Sequence, residues 1–149
     1  MSKNSESNII QPHIVKINNL RCALINYPCS NIVSTGFFIK VGSAYEKIEE
    51  RGISHFLEHM VFMGSKKYPN ENHYSERLNE LGGYSNAYTD TMETVYYFNV
   101  FDNGLDDIMD IFSRFFIDPL FKKDSIEREI NAVNSEHNKN INNDMRRQS

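Results

Sequence analysis

The five residues His55-Phe56-Leu57-Glu58-His59 carry the densest chemistry in this sequence of 149 residues. On a helix, His55 and His59 stand one turn apart on one face, and Glu58 shares that face. Two imidazoles so placed can point at one ion. A zinc ion held by three protein groups keeps a fourth position for water, lowers the pKa of that water to about 7, and needs a nearby carboxylate to take its proton. Glu58 suits that role, with Phe56, Leu57 and Met60 to Phe62 around it to exclude bulk water. His-x-x-Glu-His is the inverted zinc-peptidase signature. The alternative reading treats the histidines as ordinary residues satisfied by hydrogen bonds. It fits a lone histidine better than three ionisable groups on one side of an apolar helix, each costing several kcal/mol if buried unpaired.

A catalytic zinc of this kind needs a third ligand. Glu129 and Glu136 are seven residues apart, on one helical stripe that adjoins Ile126, Ile130 and Val133. Glu127 and His137 compete with them on geometry, and spacing alone does not choose.

These residues require elements that bring them together. Ile14 to Ile17 and Leu20 to Ile25 read as a hairpin across Asn18-Asn19, a pair that tolerates positive φ. Ile32 to Val41 reads as a strand in which Gly36 marks a bulge or a close backbone approach. From Gly52, Ile53, Phe56, Leu57, Met60, Val61 and Phe62 recur at helical spacing, which predicts a mostly buried helix with Gly64 as a stop. A second helix runs from an N-cap at Asn70 to Gly82-Gly83, with Glu76, Arg77 and Glu80 on its solvated side. Strands follow at Tyr84 to Thr89 and Thr94 to Val100. An amphipathic helix from Leu105 to Phe116 ends at Pro119. Asp124 and Glu127 resemble a capping box opening a last helix whose inward residues are Ile126, Ile130 and Val133. The order predicts an α+β fold, an antiparallel sheet packed against helices.

Bulk properties agree with a globular domain: 40% hydrophobic residues, 24% charged, Phe and Tyr in place of Trp, and a length suited to one compact unit. A net charge of -4 without a basic cluster argues against nucleic acid as a partner. Cys22 and Cys29 match no zinc knuckle or redox pair and read as buried or idle thiols. The polar stretch Met1 to Asn8 has no apolar segment, and no run approaches membrane-helix length, so the expectation is a cytoplasmic protein with no membrane partner.

Gly52-Ile53-Ser54 before His55 to His59, Lys67-Tyr68-Pro69, Gly83-Tyr84-Ser85-Asn86-Ala87, and Glu129-Ile130-Asn131-Ala132-Val133 leading to Ser135-Glu136-His137 together form a pattern. It resembles the M16 metallopeptidases of the insulinase and pitrilysin type, within them the insulin-degrading enzyme branch, over residues 13 to 145. Residues 1-12 read as a flexible polar start, and the absence of a helix stop from Asn140 to Ser149 suggests a cut inside a larger domain; the resemblance makes 13-149 a truncated N-terminal metallohydrolase domain (LuxS/MPP-like). It implies a zinc-dependent endopeptidase acting on short or unfolded peptides, one Zn2+ held by His55, His59 and Glu136, Glu58 as catalytic base, and Glu129 orienting a zinc-binding histidine. It further implies peptide substrates added as an edge strand along Ser85, Asn86 and Ala87. Phe62 and Tyr88 would line the pocket for the residue after the cut bond. In the family the remaining domains supply an arginine and a tyrosine for the substrate, so the chain alone is expected to be inactive. A non-catalytic scaffold subunit or a structural-zinc domain are the alternatives; the second would call on Cys22 and Cys29.

Overall fold

In the computed structural model of the chain, the described residues are 11–141, with side chains through 139. The polar stretch 1–10 and residues 142–149, where the sequence suggested a helix cut short, lie outside them. The contacts divide into two compact units, the first ending at Asn31 and the second beginning at Ile32; the domain expected from residue 13 spans both.

The first unit is the hairpin of β1 (His13–Ile17) and β2 (Leu20–Leu24), antiparallel with Ile17 opposite Leu20. Asn18 takes φ 54°, as the tight turn requires. Cys22 is half-buried and Cys29 exposed, and both are free, so of the two readings, buried or idle, the buried one fails.

The second unit carries β3 (Ile32–Ile39), α1 (Ile53–Met60), α2 (His73–Glu80), β4 (Tyr84–Thr89), β5 (Thr94–Phe101), α3 (Leu105–Ile117) and α4 (Lys123–Ile141). Its sheet is antiparallel in the order β3-β5-β4, so β5 is central and β4 is an edge. Period-2 alternation puts Phe37 of β3, Tyr96 of β5 and Ala87 of β4 in one row on one face. On that face Tyr96, Phe98 and Val100 join Ile108, Ile111, Phe112 and Phe115 of α3 and Tyr74 and Leu78 of α2 in the core. Phe98 packs edge-on against Phe112, with ring centroids 5.0 Å apart.

Several local expectations change. Gly36 sits in unbroken register opposite Tyr97, with no bulge; a Cβ there would meet the Phe38 ring at 3.1 Å. Helix α1 is not mostly buried: Ile53 and Leu57 are 52% and 47% exposed, and only Glu58, which meets Thr89 of β4, and Met60 are buried. Helix α2 begins at His73, and Asn70 instead caps the preceding turn, its side-chain oxygen accepting from the Asn72 N–H. Gly82, at φ 67°, closes α2 in the left-handed region that favours glycine. Asp124 lies inside α4, so no capping box forms. Ile130 is 46% exposed, and the inward stripe of α4 runs instead through Ser125, Glu129, Val133 and Glu136. Among the described residues no helix is long and apolar enough to cross a membrane.

Candidate metal centre

Helix α1 starts at Gly52, whose φ of 89° turns the chain into the helix. Its first amide hydrogens have no intrahelical acceptors. Glu46 meets that need from outside: Oε2 accepts from the Gly52 N–H at 2.7 Å and Oε1 from the Ser54 N–H at 2.8 Å. Burial pushes the Glu46 carboxyl up, but these bonds and the Ser54 hydroxyl outweigh it and hold the group below its ordinary value. A carboxylate there also complements the positive end of the helix dipole.

So held, α1 brings His55 Nε2 within 3.2 Å of His59 Nε2. Helix α4 crosses α1 and delivers its inward carboxylates. Glu136 Oε2 lies 3.5 Å from His55 Nε2 and 3.7 Å from His59 Nε2. Metal–ligand bonds of about 2.0–2.2 Å at tetrahedral angles put ligand atoms about 3.3–3.6 Å apart. The three separations lie within about 0.1 Å of that range, so the atoms match a zinc ion in donor type and closely in spacing.

Glu129 approaches from the other side: the His59 Nδ1–H donates to its Oε2 at 3.0 Å. That bond places the proton on Nδ1 and turns the Nε2 lone pair toward His55 and Glu136. Glu127, one competitor for the third position, faces solvent and pairs weakly with Lys123 at 3.9 Å; His137, the other, is exposed.

Glu58 lies within 4.8 Å of both imidazoles and is itself a candidate third ligand. Glu136 is nearer, and Glu58 has another partner: the Thr89 hydroxyl donates to its Oε2 at 2.6 Å. Glu58 is buried, and beside it is Tyr96, whose phenol burial and the Glu58 charge together push far up, so it stays neutral. The group of potential ligands found among the described residues contains no cysteine.

An open cleft of about 290 Å³ adjoins Glu58 and His59 and is bounded by Phe62, Met63, Ser85, Asn86 and Ala87. The expected strand segment and Phe62 thus meet at the site. Tyr88 does not: alternation along β4 turns it to the opposite face of the sheet from Ala87 and Thr89. Sequence reading missed Thr89, Met63 and Glu46. The alternation Ser85, Ala87, Thr89 was a usable signal for the first; a cap reaching back six residues has none.

A family model described as Insulinase (Peptidase family M16) matches residues 21–149. The chain belongs to this peptidase family. The insulin-degrading enzyme of Drosophila melanogaster is 44% identical over 128 residues, 86% of this chain and 13% of that protein. A putative zinc protease of Schizosaccharomyces pombe is 44% identical over 127 residues, 85% of this chain and 13% of that protein. The crystal structure of pitrilysin, at 32% identity and a TM-score of 0.82, covers 90% of this chain and 14% of its own. The α+β fold is therefore that of an M16 N-terminal domain. This chain spans about 13% of the length of the relatives it matches.

Proposed function

We propose that this M16 chain is the metal-binding part of a zinc endopeptidase that hydrolyses peptide bonds of short or unfolded peptides. The observation that carries the reading is the convergence of His55 Nε2, His59 Nε2 and Glu136 Oε2 within 3.2–3.7 Å, at a cleft beside the edge strand β4. These three residues would hold one Zn2+. When bound, zinc supplies a Lewis acid and acidifies water at its open position.

The chain's own residues do the remaining work. Glu129 holds the His59 ring in one tautomer and orientation. Glu58 is the base: it takes a proton from water in the cleft and passes it to the leaving amine. The Thr89 hydroxyl occupies Glu58 Oε2, which leaves Oε1 to accept that proton. Ser85, Asn86 and Ala87 lie on an edge strand whose outer hydrogen-bonding groups can receive a peptide as one more strand. Phe62, in the wall of the cleft, meets a substrate side chain. Further M16 domains, such as the much longer relatives have room for, would complete substrate binding.

The test is elemental analysis of the whole chain with Glu136→Gln and Glu58→Gln. Zinc should be bound by the parent, held far more weakly through His55 and His59 alone in Glu136→Gln, and kept in Glu58→Gln. Joined to the rest of an M16 enzyme, Glu58→Gln should abolish turnover; retained peptidase activity would overturn the assignment.

A further inference from the structure

Helix α4 must place Glu136 against two imidazoles, yet its inward face offers little apolar surface to set its position. Ile130 points outward, and Ile126 and Val133 are only half-buried. Hydrophobic burial of this extent does not determine the rotation of a helix, and one residue of slip rotates every side chain by about 100° and shifts it about 1.5 Å. Something polar must fix the register.

Beside the His59–Glu129 bond in its middle, a second polar tie holds the N-terminal end of α4 to the turn that precedes α2. Ser125, fully buried, donates its hydroxyl to Glu71 Oε1 at 2.5 Å. Arg128, one turn further along, donates Nη2 to Oε2 of the same carboxylate. Lys122 Nζ donates to the Pro69 carbonyl at 2.5 Å. The receiving turn follows a loop closed on itself, in which the Ser65 N–H donates to the Tyr68 carbonyl and the Tyr68 N–H to Ser65 Oγ. A carboxylate gripping two positions at i and i+3 fixes rotation as well as height.

We propose that Glu71 is a positioning residue for the metal centre, setting α4 so that Glu136 reaches the histidines. The inference rests on the metal reading above. From Ser125 to Glu136 the helix extends about 16 Å, so a tilt of about 5° at the clamp displaces Glu136 by about 1.4 Å. That is enough to remove a ligand from a site where bond lengths vary by a few tenths of an ångström.

The test is a double-mutant cycle on the whole 149-residue chain, with zinc affinity read by competition against a chromophoric chelator. Glu71→Gln should weaken zinc about tenfold, in the range of losses seen when a ligand's support is removed. In the Glu136→Gln background the same change should have no further effect, because the ligand it positions is gone. A merely structural role would weaken both backgrounds alike. Circular dichroism checks that each variant is folded, and Arg128→Met, which removes one tie and keeps Ser125, should give a smaller loss in the same direction. Equal zinc affinity for parent and Glu71→Gln, or losses that multiply across the cycle, would overturn the inference while leaving the metal reading intact. A parent chain that binds no zinc overturns both.

Discussion

Replacing Glu129 tests whether the carboxylate behind His59 tunes the metal site. In Glu129→Gln an acceptor remains 3.0 Å from His59 Nδ1 but its charge is gone. A hydrogen bond to a charged group contributes about 1.5–3 kcal/mol net and a neutral one about 0.5–1.5, so the change should cost about 1–1.5 kcal/mol. At about 1.4 kcal/mol per decade, zinc should bind about tenfold more weakly. Glu129→Ala removes the acceptor altogether and frees the ring to rotate, for a loss of about 10–100-fold. Partial access of water to His59 keeps it from being larger. The assay is chelator competition at neutral pH, with cobalt absorption reporting coordination geometry. Glu127→Gln, two residues away and solvent-facing, is the control and should bind zinc like the parent. Equal affinities for Glu129→Gln and Glu127→Gln would refute the orienting role.

Other consequences can be checked on the same chain. Thr89→Val keeps the volume but strips a buried Glu58 oxygen of its donor, and should cost about 1–3 kcal/mol in chemical denaturation, largely restored in Thr89→Ser. Glu46→Gln weakens the cap of α1 by about 0.5–2 kcal/mol. Because the folded Glu46 carboxyl lies below its ordinary value, its contribution is present above that value and lost as pH falls, so denaturation curves of parent and variant should converge in acid. Burial raises the Tyr74 phenol to about 12; Ser85 is nearby but forms no hydrogen bond of good geometry with it. Between about pH 10 and 12 the unfolded chain binds fewer protons there than the folded one, so stability falls as pH rises. Tyr74→Phe should make that alkaline loss shallower; an unchanged slope would show the phenol to be solvated.

Much of the fold was legible because local patterning and packing agree in it. The turn at Asn18-Asn19, both strands of the β4–β5 hairpin and helix α3 fall close to where their residues predict, since period-2 and 3.6-residue patterns coincide with real burial. The errors cluster where they do not coincide. Ile53 and Leu57 fit a buried helix by spacing, but spacing carries no information about how wide the covered face is. The cap of α1 comes from Glu46 and not from a residue at the helix start, so no short-range signal could reveal it.

The chemistry divides along the same line. The five-residue motif was enough to put His55, Glu58 and His59 on one helix face, because an i, i+3, i+4 relation is a property of any helix. Spacing left open which of Glu127, Glu129, Glu136 and His137 would join them. Helix α4 has too few inward apolar residues for its pattern to define a rotation, so that choice waited on long-range polar contacts: Glu71 with Ser125 and Arg128 at one end, His59 with Glu129 in the middle. Such contacts join residues 54 to 70 positions apart, and only the folded chain brings them within reach.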